Sequence, residues 1–169
     1  MTAIKTEIRN VTGEPTGPNA ALVRRSFQTV ADEMGITEEN APRYTAFLTD
    51  EQLAEERENG TFYGAFRDGT QAGFVAVELR DGEWHMRRLA VLPEYRGTDA
   101  ARRLIERVIE HVKERGGTKL HIGIVREQAG LKKWYERMGF REYRVWDIPH
   151  LPFSVSLLAM ELGDGTGEA

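Results

Sequence analysis

The sequence predicts an α/β fold: a mixed, mostly antiparallel sheet of about seven strands flanked by about four helices. Three observations predict it. Asp-Gly pairs at 68–69 and 81–82 separate three apolar, strand-like runs, which is the signature of tight hairpins and so of an antiparallel meander. From residue 98 the hydrophobic period changes to that of a helix, with Ala101, Leu104, Ile105, Val108, Ile109 and Val112 on one face. A strand-like run at 118–125 then follows Gly116-Gly117, so the chain crosses over and this strand lies parallel to the third meander strand.

The elements follow in order. "AIKTEIRNVT" alternates as a first strand, and "GEPTGPN" is a turn-rich break. Asn19 is a candidate cap for a helix over "AALVRRSFQTVADEMG", stopping at Gly35. "TDEQLAEERENG" reads as a second, polar helix capped by Thr49 or Asp50 and closing at Gly60. The meander strands are "TFYGAFRDG", "QAGFVAVELRDG" and "EWHMRRLAVLP". After the long helix and "TKLHIGIV" come a short helix, "QAGLKKWYERMG", and two final strands, "FREYRVWDI" and "FSVSLLAMEL". The tail from residue 163, "GDGTGEA", reads as frayed. Without an internal repeat or a linker, the 169 residues read as a single domain.

Composition narrows the function classes. With 23 basic and 27 acidic residues the net charge is -4, and the basic residues are interspersed with acids along helices, so no nucleic-acid partner is expected. No run approaches the roughly 20 apolar residues of a membrane span, and the N-terminus lacks a signal-peptide core. No membrane partner is expected, and the cytoplasm is the expected location. The absence of cysteine removes disulfides, thiolate nucleophiles and cysteine metal sites. His85, His111, His121 and His150 lie far apart in sequence without metal-ligand spacing, so no metal is expected.

The segment "LPEYRGTDAARRL", residues 92–104, is a loop entering the long helix. A helix start exposes unpaired N–H groups and the positive end of its dipole, which suits a phosphate. Arg96, Arg102 and Arg103 add positive charge. Asp99 opposes it: a carboxylate beside a pyrophosphate is repulsive, by about 1 kcal/mol where solvent screens it. Two arrangements are open. Asp99 caps the helix and takes the N–H groups a phosphate would use, or it turns outward and leaves them free.

"LAVLPEYRGTDA" before a long helix, and "WYERMGF" after the next strand, resemble the GNAT superfamily of acyl-CoA-dependent N-acetyltransferases. The resemblance covers roughly residues 3–162 and is strongest over 83–140. It implies a GNAT-type fold and acetyl-CoA as co-substrate. It implies a pyrophosphate loop of the pattern Arg/Gln-x-x-Gly-x-Gly/Ala, here Arg96, Gly97, Thr98, Asp99, Ala100 and Ala101, with Asp99 where the family has glycine. By the same resemblance, the backbone of Leu89, Ala90 and Val91 is the edge that pantetheine would pair with. Gln128 stands where the family often has a cofactor-contacting asparagine. Tyr135 matches the tyrosine that often protonates the leaving thiolate. His85 matches the strand position where the family often places a base, with Glu83 as the fallback.

The activity this implies is transfer of an acetyl group from acetyl-CoA to a primary amine, of a small molecule, by direct attack. Two alternatives stay open: a degenerate CoA-binding module without catalysis, and an acetyltransferase acting on a protein N-terminus or lysine. The acidic "DEMGITEEN" is a candidate attractor for a cationic amine. The acceptor itself and a homodimeric assembly are left open.

Overall fold

The computed structural model describes residues 5–163. The strands are β1 (Thr6–Asn10), β2 (Gly60–Arg67), β3 (Thr70–Arg80), β4 (Glu83–Val91), β5 (Lys119–Val125), β6 (Arg141–Trp146) and β7 (Val155–Glu161). The helices are α1 (Thr16–Met34), α2 (Asp50–Glu56), α3 (Ala100–Glu114) and α4 (Ala129–Met138). Single 3-10 turns occupy Thr45–Phe47 and Pro93–Tyr95. The seven strands form one sheet in the order β1-β2-β3-β4-β5-β7-β6. Every pair is antiparallel except β4 with β5. The expected fold class is therefore the one observed. The expected tail, beyond Gly163, lies outside the described residues.

Local chemistry explains the meander. Asp68, Gly69, Asp81 and Gly82 all have positive φ, as two-residue hairpin turns matched to the strand twist require. One face of the sheet packs against α3 and α4 through Val75, Val77, Met86, Leu104, Val108 and Ile122. The other packs against α1 and α2 through Phe62, Phe74, Ala90, Val23 and Leu53. His111 belongs to the first core: its Nδ1 lies 2.8 Å from the Tyr63 hydroxyl, and burial, helped by Arg115 and Arg107, holds its pKa down at about 4. Its role is structural.

Two sequence expectations are corrected, and one choice between caps is decided. The first helix starts at Thr16, with Pro15 in the capping place; Pro18 fits the first turn, where its missing N–H costs nothing. Asn19 is therefore not a cap. It is buried, and its Oδ1 accepts a hydrogen bond from Gln71 Nε2 at 2.8 Å. The second helix ends at Glu56, four residues before Gly60, which opens β2. Its cap is Thr49, in a reciprocal box with Gln52.

Candidate active site

The site begins with a defect in the sheet. β4 pairs with β5 only at Trp84–Leu120 and His85–His121. Beyond that point the strands diverge. The cause is visible in the β3–β4 register, which passes from Phe74–Ala90 to Ala76–Arg87 and so sets Arg88 and Leu89 against Val75 alone. This is a β-bulge, which bends its strand. Arg88 carries it with φ +60, a left-handed conformation that costs a side-chain-bearing residue roughly 1–2 kcal/mol. The Arg88 guanidinium is clamped by both oxygens of Glu56 (3.3 and 2.6 Å) and by Thr45 Oγ1 (2.9 Å). No sequence signal marked Arg88, because its clamp comes from α2 and the turn after α1.

The gap so opened is a cleft of about 1170 Å³ that passes through the sheet. One side is lined by Phe27, Tyr44, His85 and Arg87, the other by Leu131, Trp134 and Tyr135. The segment between β6 and β7 closes one end, with Leu151 and Phe153 packed onto the small core of Ala31, Ile36, Ala41 and Ala46. Tyr44 makes edge-to-face contacts with Phe27 and Phe153, at 6.0 and 5.7 Å.

At the other end lies the loop of residues 96–101. Gly97 has φ +84, and the backbone at Asp99 is ordinary, with φ -85. Glycine is thus required at 97, and Asp99 occupies its position without strain. Asp99 stands at the cap position of α3 but makes no side-chain cap. Its carboxylate turns to the sheet, where it accepts from the Thr6 hydroxyl and from Arg67 Nη1 (3.0 Å), with Arg103 at 3.8 Å. The Thr6 bond, reinforced by Arg67 and Arg103, holds its pKa below the usual carboxylate value. Of the two arrangements, the capping one is therefore excluded. Thr98 Oγ1 takes the Ala100 N–H at 3.3 Å, while the N–H groups of Ala101 and Arg102 meet no acceptor among the described residues.

Residues 26–140 match the family described as Acetyltransferase (GNAT) family. The chain belongs to that family. A curated relative, Probable N-acetyltransferase camello of Xenopus tropicalis, is 30% identical over 97 residues, 56% of this chain and 44% of the relative, so the match spans less than half of that protein. Among solved structures, the PaiA N-acetyltransferase of Thermoplasma acidophilum in complex with coenzyme A superposes with a TM-score of 0.75, at 20% identity, over 93% of this chain and 99% of that one. The ribosomal-protein-S18-alanine N-acetyltransferase of Escherichia coli gives a TM-score of 0.70, at 18% identity, over 94% of each chain.

Within this GNAT fold the residues expected from sequence divide into three groups. His85, Leu89, Ala90, Val91, Arg96, Ala101, Gln128 and Tyr135 line the one cleft. Gly97, Thr98, Asp99 and Ala100 shape the loop without lining it; Ala100 is fully buried in the α3 core. Glu83 lies outside the lining, with its oxygens 3.8 Å from His85 Nε2 and 3.6 Å from His121 Nε2. The expected charges are placed as follows. Arg96 keeps its charge and is fixed on α1, its Nη2 donating to Ser26 O (2.8 Å) and Thr29 Oγ1 (3.0 Å). Arg102 and Arg103 are both drawn towards Glu106, at 3.3 and 3.8 Å. Of the acidic segment "DEMGITEEN", Glu33 alone reaches the cleft lining.

Burial raises the Tyr135 pKa well above that of a free phenol. Burial, and then the neighbouring His121 ring, lowers that of His85; Glu83 and Glu78 oppose the shift in part. The one group is therefore a stable neutral acid, and the other a neutral base at pH 7.

Proposed function

We propose that the protein transfers an acetyl group from acetyl-CoA to a primary amine of a small molecule by direct attack. The observation that carries this reading is the loss of β4–β5 pairing after His85, which leaves Leu89–Val91 without a partner on the β5 side, beside a cleft that ends at a helix start with no cap from Asp99. Those groups suit the amides of a pantetheine arm, and the free N–H groups of Ala101 and Arg102 suit a pyrophosphate. Gln128, at the start of α4, extends the same wall.

The chemistry follows from the two titrating groups. The amine loses its ammonium proton to neutral His85, directly or through water, and its lone pair forms the C–N bond at the thioester carbonyl. The tetrahedral oxyanion collapses, the C–S bond breaks, the leaving thiolate takes the Tyr135 proton, and the nitrogen's second proton passes, directly or through water, to the Tyr135 phenolate, leaving His85 with the one proton released. A free thiol and an amide are the products. A small acceptor is supported by the β6–β7 segment, whose Leu151 and Phe153 line the cleft while packing onto the core of Ala31, Ile36, Ala41 and Ala46.

Thermal unfolding with acetyl-CoA tests the reading. A ligand bound only to the native state at about 100 times its dissociation constant adds about 2.7 kcal/mol. A raised melting temperature, with thiol release against a panel of amines, is the expected result. An unchanged melting temperature at millimolar acetyl-CoA overturns the assignment.

A further inference from the structure

Three guanidiniums and two carboxylates meet on one wall of the cleft. Glu78 is held by Arg80 (2.9 Å) and Arg87 (3.0 Å), while Glu56 is held on both oxygens by Arg88. Arg87 reaches Glu56 only at 4.0 Å. The wall therefore keeps one positive charge in excess. Arg80 and Arg87 share Glu78 and so share that excess; of the two, Arg87 is the one on the face of His85, and it spends one nitrogen on Glu78, lines the cleft and remains partly exposed. A guanidinium has five N–H donors in a fork that fits a carboxylate. Across the lining, Glu33 is the sole acid against Arg43, Arg80, Arg87, Arg88 and Arg96, and Arg43 meets no carboxylate among the described residues.

Position ties this charge to the chemistry. His85 and Arg87 are two residues apart on β4, before the bulge, and so share a face. Side chains so placed start about 7 Å apart, close enough for one bifunctional molecule to reach both. Beyond them stand Phe27, Tyr44, Trp146 and Phe153, an aromatic lining with no charge of its own.

Resting on the acetyl-transfer reading, we propose that the acceptor is a free amino acid with an apolar or aromatic side chain, its carboxylate bound by Arg87, its amine presented to His85 and its side chain set among those rings. An amine without an anionic group leaves the Arg87 fork unanswered in a partly desolvated site.

The test compares L-phenylalanine, L-phenylalaninamide and phenethylamine as acceptors, by thiol release at saturating acetyl-CoA and by calorimetry of each acceptor with the whole protein. Phenylalanine is expected to exceed the amide in kcat/KM by about tenfold or more, the worth of one charge-assisted hydrogen bond. The amide's amine is less basic and more often neutral, so chemistry alone biases the comparison the other way. Arg87→Gln should erase the ratio, and Arg87→Lys should restore part of it by returning the charge without the fork. Equal or better use of the amide or of phenethylamine overturns the proposal while leaving acetyl transfer standing. So does a ratio unchanged in Arg87→Gln, or no detectable binding of phenylalanine. Phenylalanine binding that Arg87→Gln abolishes, without thiol release from any acceptor, upholds the anion site and overturns acetyl transfer instead. If the variants fail to fold, the wild-type ratio decides.

Discussion

At the loop end of the cleft the surface offers main chain: the Ala101 and Arg102 N–H groups and the released edge of β4. At the opposite end it offers side chains brought from distant parts of the chain: Phe27, Tyr44, Arg87, Trp146 and Phe153. Main-chain recognition asks only that a strand end and a helix start be correctly placed, so many residues are tolerated, Asp99 among them. Side-chain recognition depends on each group and on its supports, such as Glu78 behind Arg87. Substitutions should therefore cost most among the side chains that act on the reacting atoms, and least in the loop.

Tyr135→Phe is expected to give the largest effect. Only a hydroxyl is lost, and the ring keeps its contacts with Trp134 and Phe140. Turnover should fall about a hundredfold or more, at every pH at which the enzyme is stable, while acetyl-CoA binding changes little. Steady-state kinetics beside calorimetry will show it. Normal turnover in the Phe variant removes Tyr135 from the reaction and weakens the contrast between the two ends.

His85→Gln should come next, and its effect should depend on pH. As the proposed base, His85 would serve only when neutral, and its pKa is held below its ordinary 6.5. Activity should therefore rise with pH through a value lower than that and then level off. The variant should lose about a hundredfold at neutral pH, and the deficit should shrink towards the acceptor amine's own pKa, where the acceptor is neutral without help. A deficit that is the same at all pH values would assign His85 to packing against His121, whose ring centroid lies 5.3 Å away.

The contrast also explains what could be read from sequence. The loop end was legible because its determinants are local: a strand and a helix start lie within a dozen residues, although the positive φ falls on Gly97 and not at position 99, where the motif has its glycine. Hairpins at 68–69 and 81–82 were legible for the same reason. The bulge at Arg88 was not, since the energy that holds a left-handed arginine comes from Glu56 and Thr45, more than 30 residues away. Nor was the pairing of Asp99 with Thr6 and Arg67, which needs β1, β2 and the loop assembled. Strand alternation alone puts Arg87 on the face of His85, but its share of spare charge is visible only once its neighbours can be counted.

The smallest effect is expected at Asp99, where sequence reasoning anticipates a repelled pyrophosphate and tighter binding once the acid is removed. The contacts of the carboxylate argue for a smaller effect. The carboxylate faces Thr6 and Arg67 rather than the helix start, and two guanidiniums offset its charge. Asp99→Asn keeps an oxygen for Thr6 and should bind acetyl-CoA within about twofold of the parent, a difference below 0.5 kcal/mol. Asp99→Gly removes the tether between loop and sheet and leaves the largely buried Arg67 with the Thr6 oxygen as its remaining partner. It should lower stability by about 1 kcal/mol, within the range of a hydrogen bond to a charged group in a partly exposed site. It should also weaken acetyl-CoA binding about threefold, because a looser loop must be ordered when the ligand binds. Calorimetry of both variants decides the matter. Tighter binding in both would mean that the charge does reach the pyrophosphate across its guanidinium screen, and tighter binding in the glycine variant alone would mean that the tether holds the loop in a conformation less suited to the ligand.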